Sequence, residues 1–238
     1  MKSYDFDTQI ARNVRRANEL ERQAHESSGK LTASMLNWPL LEQVLKIIGV
    51  PVRDPDDYAL RLFARGRQAE QFIIENLDGV KETQKEVNYR NCIGLVDIIL
   101  EDGIPVEVKS CKNSAFKWLE RDKQPKPAHI LQATLYALAL NAPASRVLYT
   151  AADDLRTMGF ELPTDAYKPQ VDKVIDEVET QLRSGTLPEF KPRESWQEIG
   201  KYDKYAQYPN FLVLTAEESM NKLKREFPTA WEKLRNYK

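Results

Sequence analysis

The sequence has little cysteine, little histidine and no long apolar run. Two cysteines among 238 residues, Cys92 and Cys111, are too few for a disulfide scaffold or a metal cluster held by cysteine. No apolar run reaches the ~18 residues of a membrane-spanning helix. The segment Met1–Arg16 is polar, unlike a secretory signal peptide. We therefore expect a protein without a membrane partner that works in the cytoplasm, or in the host cytoplasm if a virus encodes it.

The charges of the chain nearly cancel. Lysine plus arginine total 35 and aspartate plus glutamate total 36, so the formal net charge is −1. This balance excludes a bulk electrostatic attraction to nucleic acid, but it leaves room for a local basic groove. With 42% hydrophobic and 30% charged residues, the chain can bury a core and lacks the composition of a disordered protein.

Hydrophobic periodicity predicts an α/β fold with a mixed central sheet flanked by helices. Residues 1–56 are predicted to form an N-terminal helical segment packed on the core. Residues 57–190 form the predicted core, and residues 191–238 form a C-terminal extension rich in tyrosine, tryptophan and charge. The predicted core elements are a helix over 57–77, strands over 80–90, 93–100 and 104–109, a helix over 128–141, a strand over 146–150 and a helix over 168–184.

Four short patterns contain the residues that could support chemistry. They are Gly66-x-x-x-Glu70, Gly94-x-x-Asp97, Glu107-Val108-Lys109 and Gln132-x-x-x-Tyr136. Each pattern alone is weak. Spacing alone favours a solvent-exposed Glu70 beside a packing glycine, and Gln132 and Tyr136 share a helix face that is either buried or faces water. The informative feature is that all four occur, and in this order.

The segments on either side of Glu101–Gly103 predict a β-hairpin. Glu107 and Lys109 are two residues apart on a strand and so share a face. A two-residue turn would send the Asp97 side chain to the opposite face, whereas a three-residue loop sets Asp97 directly opposite Glu107. Gly103 suits the left-handed conformation that ends such a three-residue loop. We therefore predict that Asp97, Glu107 and Lys109 cluster on one face.

The apolar neighbours on both faces of these strands indicate burial rather than a solvated, charged hairpin. Two carboxylates ~5 Å apart repel by about 3 kcal/mol at a dielectric constant of about 20. Adding Glu70 raises the repulsion to about 10 kcal/mol, comparable with the stability of a whole domain, and Lys109 offsets only part of it. Either a carboxylate keeps its proton or a cation lies among the acids. Oxygen ligands without histidine or cysteine favour Mg²⁺ or Mn²⁺ over Zn²⁺.

Together, the four patterns resemble the RecB-like branch of the PD-(D/E)XK nuclease superfamily, which has a restriction-endonuclease-like core, over about residues 31–190. The resemblance implies a set of metal ligands made of three carboxylates and one backbone carbonyl: Glu70, Asp97, Glu107 and Val108. It implies that Lys109 orients or deprotonates the attacking water, or stabilises charge on the phosphate. It also implies that Gln132 and Tyr136 position the DNA backbone and Lys109.

The chain departs from the family pattern in three ways. Val96 stands where the superfamily has proline, and Glu70 where many RecB-like members have histidine. Many members also hold an iron–sulfur cluster through cysteines in both terminal segments, and this chain has no cysteine there. We therefore expect Mg²⁺ or Mn²⁺ and no iron–sulfur cluster. Aromatic residues are predicted to pack the two terminal segments together instead: Trp38, Trp196, Tyr202, Tyr205 and Tyr208.

The stretch Ser110–Lys126 is predicted to be a basic loop that contacts DNA. It holds five lysine or arginine residues against two acidic ones, and its Phe116 and Trp118 could stack an unpaired base. The alternative is a solvated connection whose aromatic residues cover the core. Arginines on the predicted helix over 57–77 are a second set of candidate DNA-contacting residues. The predicted DNA-contacting residues are Arg65, Arg67, Ser110, Lys112, Lys117, Trp118 and Arg121.

We therefore predict a metal-dependent DNA exonuclease that acts on ends or single strands. The alternatives are a structure- or sequence-specific endonuclease of the same superfamily and a non-catalytic DNA-binding subunit that keeps the fold. A carbohydrate-cleaving enzyme explains neither Lys109 nor the Gln132–Tyr136 pattern. Roles in repair, recombination or phage replication follow only from the resemblance, which also leaves open a recombination or replication partner protein and a homo-oligomer.

Overall fold

The computed structural model describes residues 6–24, 29–189 and 215–237. Its α-helices are α1 (Phe6–Ala24), α2 (Leu40–Ile48), α3 (Asp57–Asn76), α4 (Asn113–Asp122), α5 (Pro127–Leu140), α6 (Thr164–Ser184), α7 (Ala216–Glu226) and α8 (Pro228–Arg235). Its strands are β1 (Leu31–Thr32), β2 (Val80–Tyr89), β3 (Cys92–Leu100), β4 (Pro105–Cys111), β5 (Ala144–Ala151) and β6 (Thr157–Pro163). None of the described helices has the length and apolar character needed to cross a membrane. Of the predicted C-terminal extension, residues 191–214 and 238 lie outside the described residues.

The described strands form one mixed sheet in the order β1-β3-β4-β5-β6, with β2 also paired to β3. The pairs β1–β3 and β4–β5 are parallel, and the other neighbours are antiparallel. A parallel pair needs a crossover connection, which α4 and α5 supply between β4 and β5. The predicted α/β class, with a mixed central sheet flanked by helices, is confirmed.

Strand β3 has three partners, and their arrangement opens the sheet along one of its edges. β2 pairs with β3 from end to end and so occupies one edge. The other edge is shared, because β1 pairs at Cys92 and Ile93 while β4 pairs at Ile98 and Ile99. Residues 94–97 therefore lie between two partners that approach from opposite ends. We call this opening the fork.

The β3–β4 hairpin has the three-residue loop predicted from the sequence. A backbone hydrogen bond of 3.1 Å from Leu100 N to Ile104 O closes the loop, and Gly103 has a φ of 80°. In the register of this hairpin, Asp97 stands opposite Glu107. The prediction is confirmed, and the two acidic residues take positions on the same face of the sheet.

Helix α5 packs against the sheet beside the fork, and Tyr136 fills the space next to β3. Tyr136 is 1% exposed, so the buried alternative for its helix face is correct. A Cβ atom added at Gly94 would lie 2.6 Å from Tyr136 Cε1. A Cβ added at Gly66 would lie 3.7 Å from Ser110 Oγ, an ordinary contact. The close approach of α5 to β3 therefore depends on Gly94, whereas the contact of α3 with β4 at Gly66 leaves room for a side chain.

The stretch predicted as a basic loop is largely helical, so that prediction is wrong. β4 continues to Cys111, and α4 begins at Asn113. Phe116 and Leu119 are three residues apart on α4 and are buried in a cluster that includes Tyr149 of β5. The polar residues around this apolar pair obscured it in the sequence. Because Phe116 is 1% exposed, it cannot stack a base.

The segments near the two chain ends join one apolar cluster with α5 and α6. The cluster contains Leu45 of α2, Ile175 of α6 and Leu223 of α7, and Trp38 packs against it. This shared core holds α2 and the C-terminal helices against the face that carries α5. The other aromatic residues predicted to join the terminal segments lie outside the described residues: Trp196, Tyr202, Tyr205 and Tyr208.

We predict that Gly94→Ala destabilises the protein by about 1–3 kcal/mol, because the new methyl group overlaps the Tyr136 ring and forces one of the two to move. Urea unfolding measures the change. Gly159→Ala on β6 is the matched control, since its Cβ would meet Leu148 Cδ1 at 3.8 Å, an ordinary contact. Equal losses of stability in the two variants would refute the close packing at Gly94.

Candidate active site

Three separate segments bring acidic side chains to the fork. Glu70 lies on α3, Asp97 on β3 and Glu107 on β4. Their charges interact, since Glu107 acts on both Glu70 and Asp97, and Glu70 acts on Asp97. The structure therefore brings near one another the three carboxylates that the sequence placed in three different motifs.

Asp97 takes the place of a backbone partner for β4. Beyond the pair Ile98–Val106, the backbone pairing of β3 with β4 stops. The Val108 N–H instead donates to Asp97 Oδ2 at 2.7 Å. A buried backbone N–H needs a partner, and here a side chain supplies it. The bond holds β4 at the fork and keeps the Asp97 carboxylate next to Val108, whose carbonyl is a predicted metal ligand.

Glu107 is the most deeply buried acid of the site. It is 1% exposed, and its Oε1 forms an ion pair with Lys109 Nζ. Its Oε2 is buried and has no hydrogen-bond partner among the described residues. Leaving a buried polar atom unpaired costs about 1–3 kcal/mol, and more for a charged group. A bound cation would remove this cost.

Burial and mutual repulsion raise the pKa of two of the carboxyl groups. For Asp97, burial is the largest cause of a pKa well above the usual range, followed by the charges of Glu107 and Glu70. Burial and then Glu107 raise the pKa of Glu70, while Lys109 and the amide of Gln84 oppose the rise. Both groups therefore hold a proton more tightly than a free carboxyl group does, unless a positive charge joins them.

Helix α5 adds Gln132 and Tyr136 to the acidic cluster. Gln132 Nε2 donates to Tyr136 Oη at 2.8 Å. Burial, followed by the nearby charges of Glu107 and Asp97, raises the pKa of Tyr136 well above its usual value. Its hydroxyl is therefore protonated at neutral pH and can donate a hydrogen bond to a carboxylate or a phosphate.

Tyr149 and His129 form a pair beside Lys109. Tyr149 of β5 is the neighbour of Lys109 in the parallel β4–β5 register. Its hydroxyl accepts from the Lys126 N–H at 2.9 Å and lies 2.7 Å from His129 Nδ1. Burial, then Lys109 and Lys126, lower the pKa of His129 well below its usual value, so its ring is neutral at pH 7. The sequence had no signal for Tyr149, which joins the group through strand pairing.

Gln84 of β2 is a residue of this region that sequence reasoning missed. Its Nε2 donates a hydrogen bond to Glu70 Oε1. Its backbone has a φ of 52°, and the pairs on either side of it place it opposite Asp97. The sequence had no signal for it, because Val80–Arg90 has the alternating charged pattern of an ordinary edge strand.

The donor chemistry of the site fits a hard divalent cation. The donors are carboxylate oxygens, the Val108 carbonyl and the buried, unpartnered Oε2 of Glu107, a set that suits Mg²⁺ or Mn²⁺. As the described side chains stand, no three acidic, histidine or cysteine residues are close enough together to hold an ion. Glu107 is paired with Lys109, and Glu70 with Gln84. Metal binding therefore stays a prediction, as does the expected lack of an iron–sulfur cluster.

Helix α4 carries the exposed aromatic residue of the predicted DNA-contacting set. Trp118 is 59% exposed, and the guanidinium of Arg121 lies 4.0 Å from the centroid of its ring. Arg121 also pairs with Asp122 at 2.6 Å, and Lys117 is exposed on the same helix. A cavity of about 460 Å³ lies between Trp118 and the segment Gln124–Pro127 that leads into α5. An exposed ring beside a cavity and a guanidinium can stack a base.

The other predicted DNA-contacting residues lie on α3 and at the end of β4. Ser110 follows Lys109 on β4, and the exposed Lys112 donates from Nζ to Tyr58 Oη at 3.4 Å. Arg65 of α3 is half-buried, and its Nε is buried without a hydrogen-bond partner among the described residues. Arg67 is exposed on the same helix. Ser110 thus lies on the strand that contains Glu107 and Lys109, and Lys112 follows the end of that strand.

No protein-family model matches the chain, and no curated protein matches it. The chain is similar to the crystal structure of an alkaline exonuclease (LHK-Exo) from Laribacter hongkongensis, with a TM-score of 0.49 and 17% identity over 66% of this chain and 92% of that one. It is also similar to a phage-related exonuclease from Haemophilus somnus 129PT, with a TM-score of 0.43 and 12% identity over 63% of this chain and 90% of that one. The function proposed below is inferred from this chain's own residues.

We predict that Asp97→Asn stabilises the metal-free protein at neutral pH by about 1 kcal/mol or more, which raises Tm by about 2–4 °C. The amide oxygen can still accept from the Val108 N–H, while the costly buried charge is lost. Because the native pKa of Asp97 is raised, the wild-type protein loses stability as the pH rises through that pKa. The difference between the two proteins should therefore grow as the pH rises and shrink as the pH falls.

The control for this prediction is Asp102→Asn in the same hairpin. Asp102 accepts from the Ile104 N–H at 3.0 Å and pairs with Arg146, and these contacts lower the pKa of its carboxyl group. Its removal should leave stability unchanged or lower it at neutral pH, the opposite of Asp97→Asn. Thermal unfolding of both variants in a chelating buffer checks the two signs. A loss of stability in Asp97→Asn at every pH would contradict the crowding of the carboxylates.

Proposed function

We propose that the chain is a divalent-metal-dependent DNA nuclease that hydrolyses phosphodiester bonds as an exonuclease on DNA ends or single strands. The observation on which this proposal depends is the buried Glu107. One of its oxygens is paired with Lys109 and the other has no partner among the described residues, beside an Asp97 that is held at the fork. A buried acid in this state fits a cation site with an adjacent ammonium group.

The proposed metal ligands are the three carboxylates and one backbone carbonyl: Glu70, Asp97, Glu107 and Val108. Held there, Mg²⁺ or Mn²⁺ would polarise the phosphate and make hydroxide available near neutral pH. Strands β3 and β4 hold Asp97 and Glu107 on the rigid part of the fold, and α3 brings Glu70. Rigid elements of this kind keep donors at the fixed spacing that hydrolysis needs.

Lys109 and the α5 pair act on the reacting groups. Because Lys109 Nζ pairs with Glu107, it lies beside the place where the carboxylate would hold an attacking water. There it orients that water, takes its proton, or donates to the phosphate oxygen as negative charge develops. Gln132 and Tyr136 are proposed to hold the DNA backbone and Lys109 in place by hydrogen bonds.

The exposed aromatic ring on α4 and the charge of the chain favour ends or single strands over continuous duplex. Trp118 can stack only a base that is not already stacked in a duplex. The net charge of −1 favours contact with few phosphates, because each neutralised phosphate needs a positive side chain. A recombination or replication partner that supplies the DNA and a homo-oligomer stay predictions of the resemblance.

We predict that the protein with Mg²⁺ shortens end-labelled linear DNA from its ends and leaves closed circular DNA intact. Lys109→Ala and Asp97→Ala should each lower the rate by about 100-fold or more, equal to about 2.7 kcal/mol of lost transition-state stabilisation. A digestion time course with both DNA forms measures this. Lys85→Ala is the control, since Lys85 is a partly exposed lysine of β2 that pairs with Glu82 at 2.8 Å.

Three outcomes would overturn parts of this proposal. Internal fragments from closed circles would make the protein an endonuclease. Full activity in both Lys109→Ala and Asp97→Ala would place the chemistry elsewhere. DNA binding without cleavage at any concentration of Mg²⁺ or Mn²⁺ would make the chain a non-catalytic DNA-binding subunit.

We predict that Trp118→Ala raises KM for single-stranded DNA by about 5- to 100-fold, as expected for the loss of one stacked base, with little change in kcat. Trp118→Phe is the matched control, because it keeps an aromatic face and should retain most of the affinity. Steady-state kinetics on a short single strand provides both constants. If alanine and phenylalanine have the same effect, Trp118 does not stack a base.

A further inference from the structure

Gln84 interrupts β2 directly across from Asp97. Regular pairs with β3 flank it on both sides. Its own φ of 52° lies in the left-handed region, which is unfavourable for a residue with a side chain. The regular pairing before and after Gln84 holds it in this conformation. Strained backbone of this kind persists where the surrounding structure imposes it, and it is common at functional sites.

The side chain of Gln84 connects β2 to α3. Its Nε2 donates to Glu70 Oε1 across fourteen positions of the chain. The carboxylate that it contacts is the one proposed metal ligand that comes from a helix rather than from the sheet. A glutamate side chain has three rotatable bonds, so a carboxylate on a helix needs a fixed partner to keep one orientation.

We propose that Gln84 is a positioning residue for the metal site: its amide N–H restricts the Glu70 carboxylate to one orientation on the β2 side of the acidic cluster. This inference rests on the proposed function, because it assumes that Glu70 binds a cation there. An amide suits this task, since it donates a hydrogen bond without adding charge to the site. Hydrogen-bond partners of metal ligands typically change metal affinity by about 10- to 100-fold.

Isothermal titration of the metal-free full chain with Mg²⁺ alone tests the proposal. Gln84→Ala should weaken the Kd for Mg²⁺ by about 10-fold or more. Glu70→Ala should weaken it at least as much, and adding Gln84→Ala to Glu70→Ala should cause little further loss. In nuclease assays, Gln84→Ala should need more Mg²⁺ for half-maximal rate but approach the wild-type kcat at saturating Mg²⁺.

Gln84→Gly separates the amide from the backbone strain. Glycine adopts a positive φ without steric cost, so this variant should unfold at or above the temperature of Gln84→Ala. It lacks the amide, however, and should lose as much Mg²⁺ affinity as Gln84→Ala. If Gln84 had a purely structural role, the Mg²⁺ affinity of the two variants would instead differ in the same order as their unfolding temperatures.

Gln71→Ala is the matched control. Gln71 is also a glutamine whose Nε2 donates to a glutamate, Glu75 Oε1, at 2.8 Å, but this pair is on the exposed side of α3. Its removal should leave the Kd for Mg²⁺ unchanged.

The outcomes distinguish the inference from the proposed function. If Glu70→Ala weakens Mg²⁺ binding and Gln84→Ala does not, the role of Gln84 is refuted while the nuclease proposal stands. If the wild-type protein binds no Mg²⁺ and no Mn²⁺, both are refuted.

Discussion

The hydrogen bond from the Val108 N–H to the Asp97 carboxylate links the sheet to the proposed active site. At the fork, β4 has lost its backbone partner on β3, and a buried N–H without a partner would be costly. The Asp97 side chain supplies that partner. The same bond keeps Asp97 beside β4, the strand that carries Glu107 and Lys109. The junction of β4 with β3 at the fork and the position of Asp97 in the acidic cluster therefore share one contact.

The described hydrogen-bond donors and cations around the three carboxylates do not balance the negative charge of these groups. Asp97 has a backbone N–H, Glu107 has Lys109 with the neutral Tyr136 hydroxyl nearby, and Glu70 has the neutral amide of Gln84. Among the described residues one ammonium group thus faces three carboxylates, and burial, followed by the repulsion between these carboxylates, raises the pKa of Asp97 and Glu70. Unbalanced negative charge in a buried site destabilises the fold but favours the binding of a cation. The proposed hydrolysis uses such a cation, so the same imbalance links the fold to the proposed function.

Local rules predicted some of the site well. The three-residue hairpin loop followed from Gly103, and with it came the position of Asp97 opposite Glu107. The same kind of reasoning failed for Ser110–Lys126, where Phe116 and Leu119 turn a polar stretch into α4. Two apolar residues three positions apart are too short a pattern to predict a helix when most of their neighbours are polar. Their partner surface comes from a strand that follows later in the chain.

The sequence by itself determined which strand and turn residues carry the acidic groups, because strand alternation and glycine conformation act over only a few residues. It also limited the donor set to oxygen, since cysteine and histidine are scarce. Only the tertiary structure decided that Gly94 rather than Gly66 is the close-packed glycine, that the fork opens beside Asp97, and that Gln84 reaches Glu70. The physical reason is that each of these features depends on atoms from elements far apart in the chain, whose distance is set by packing and not by local preference.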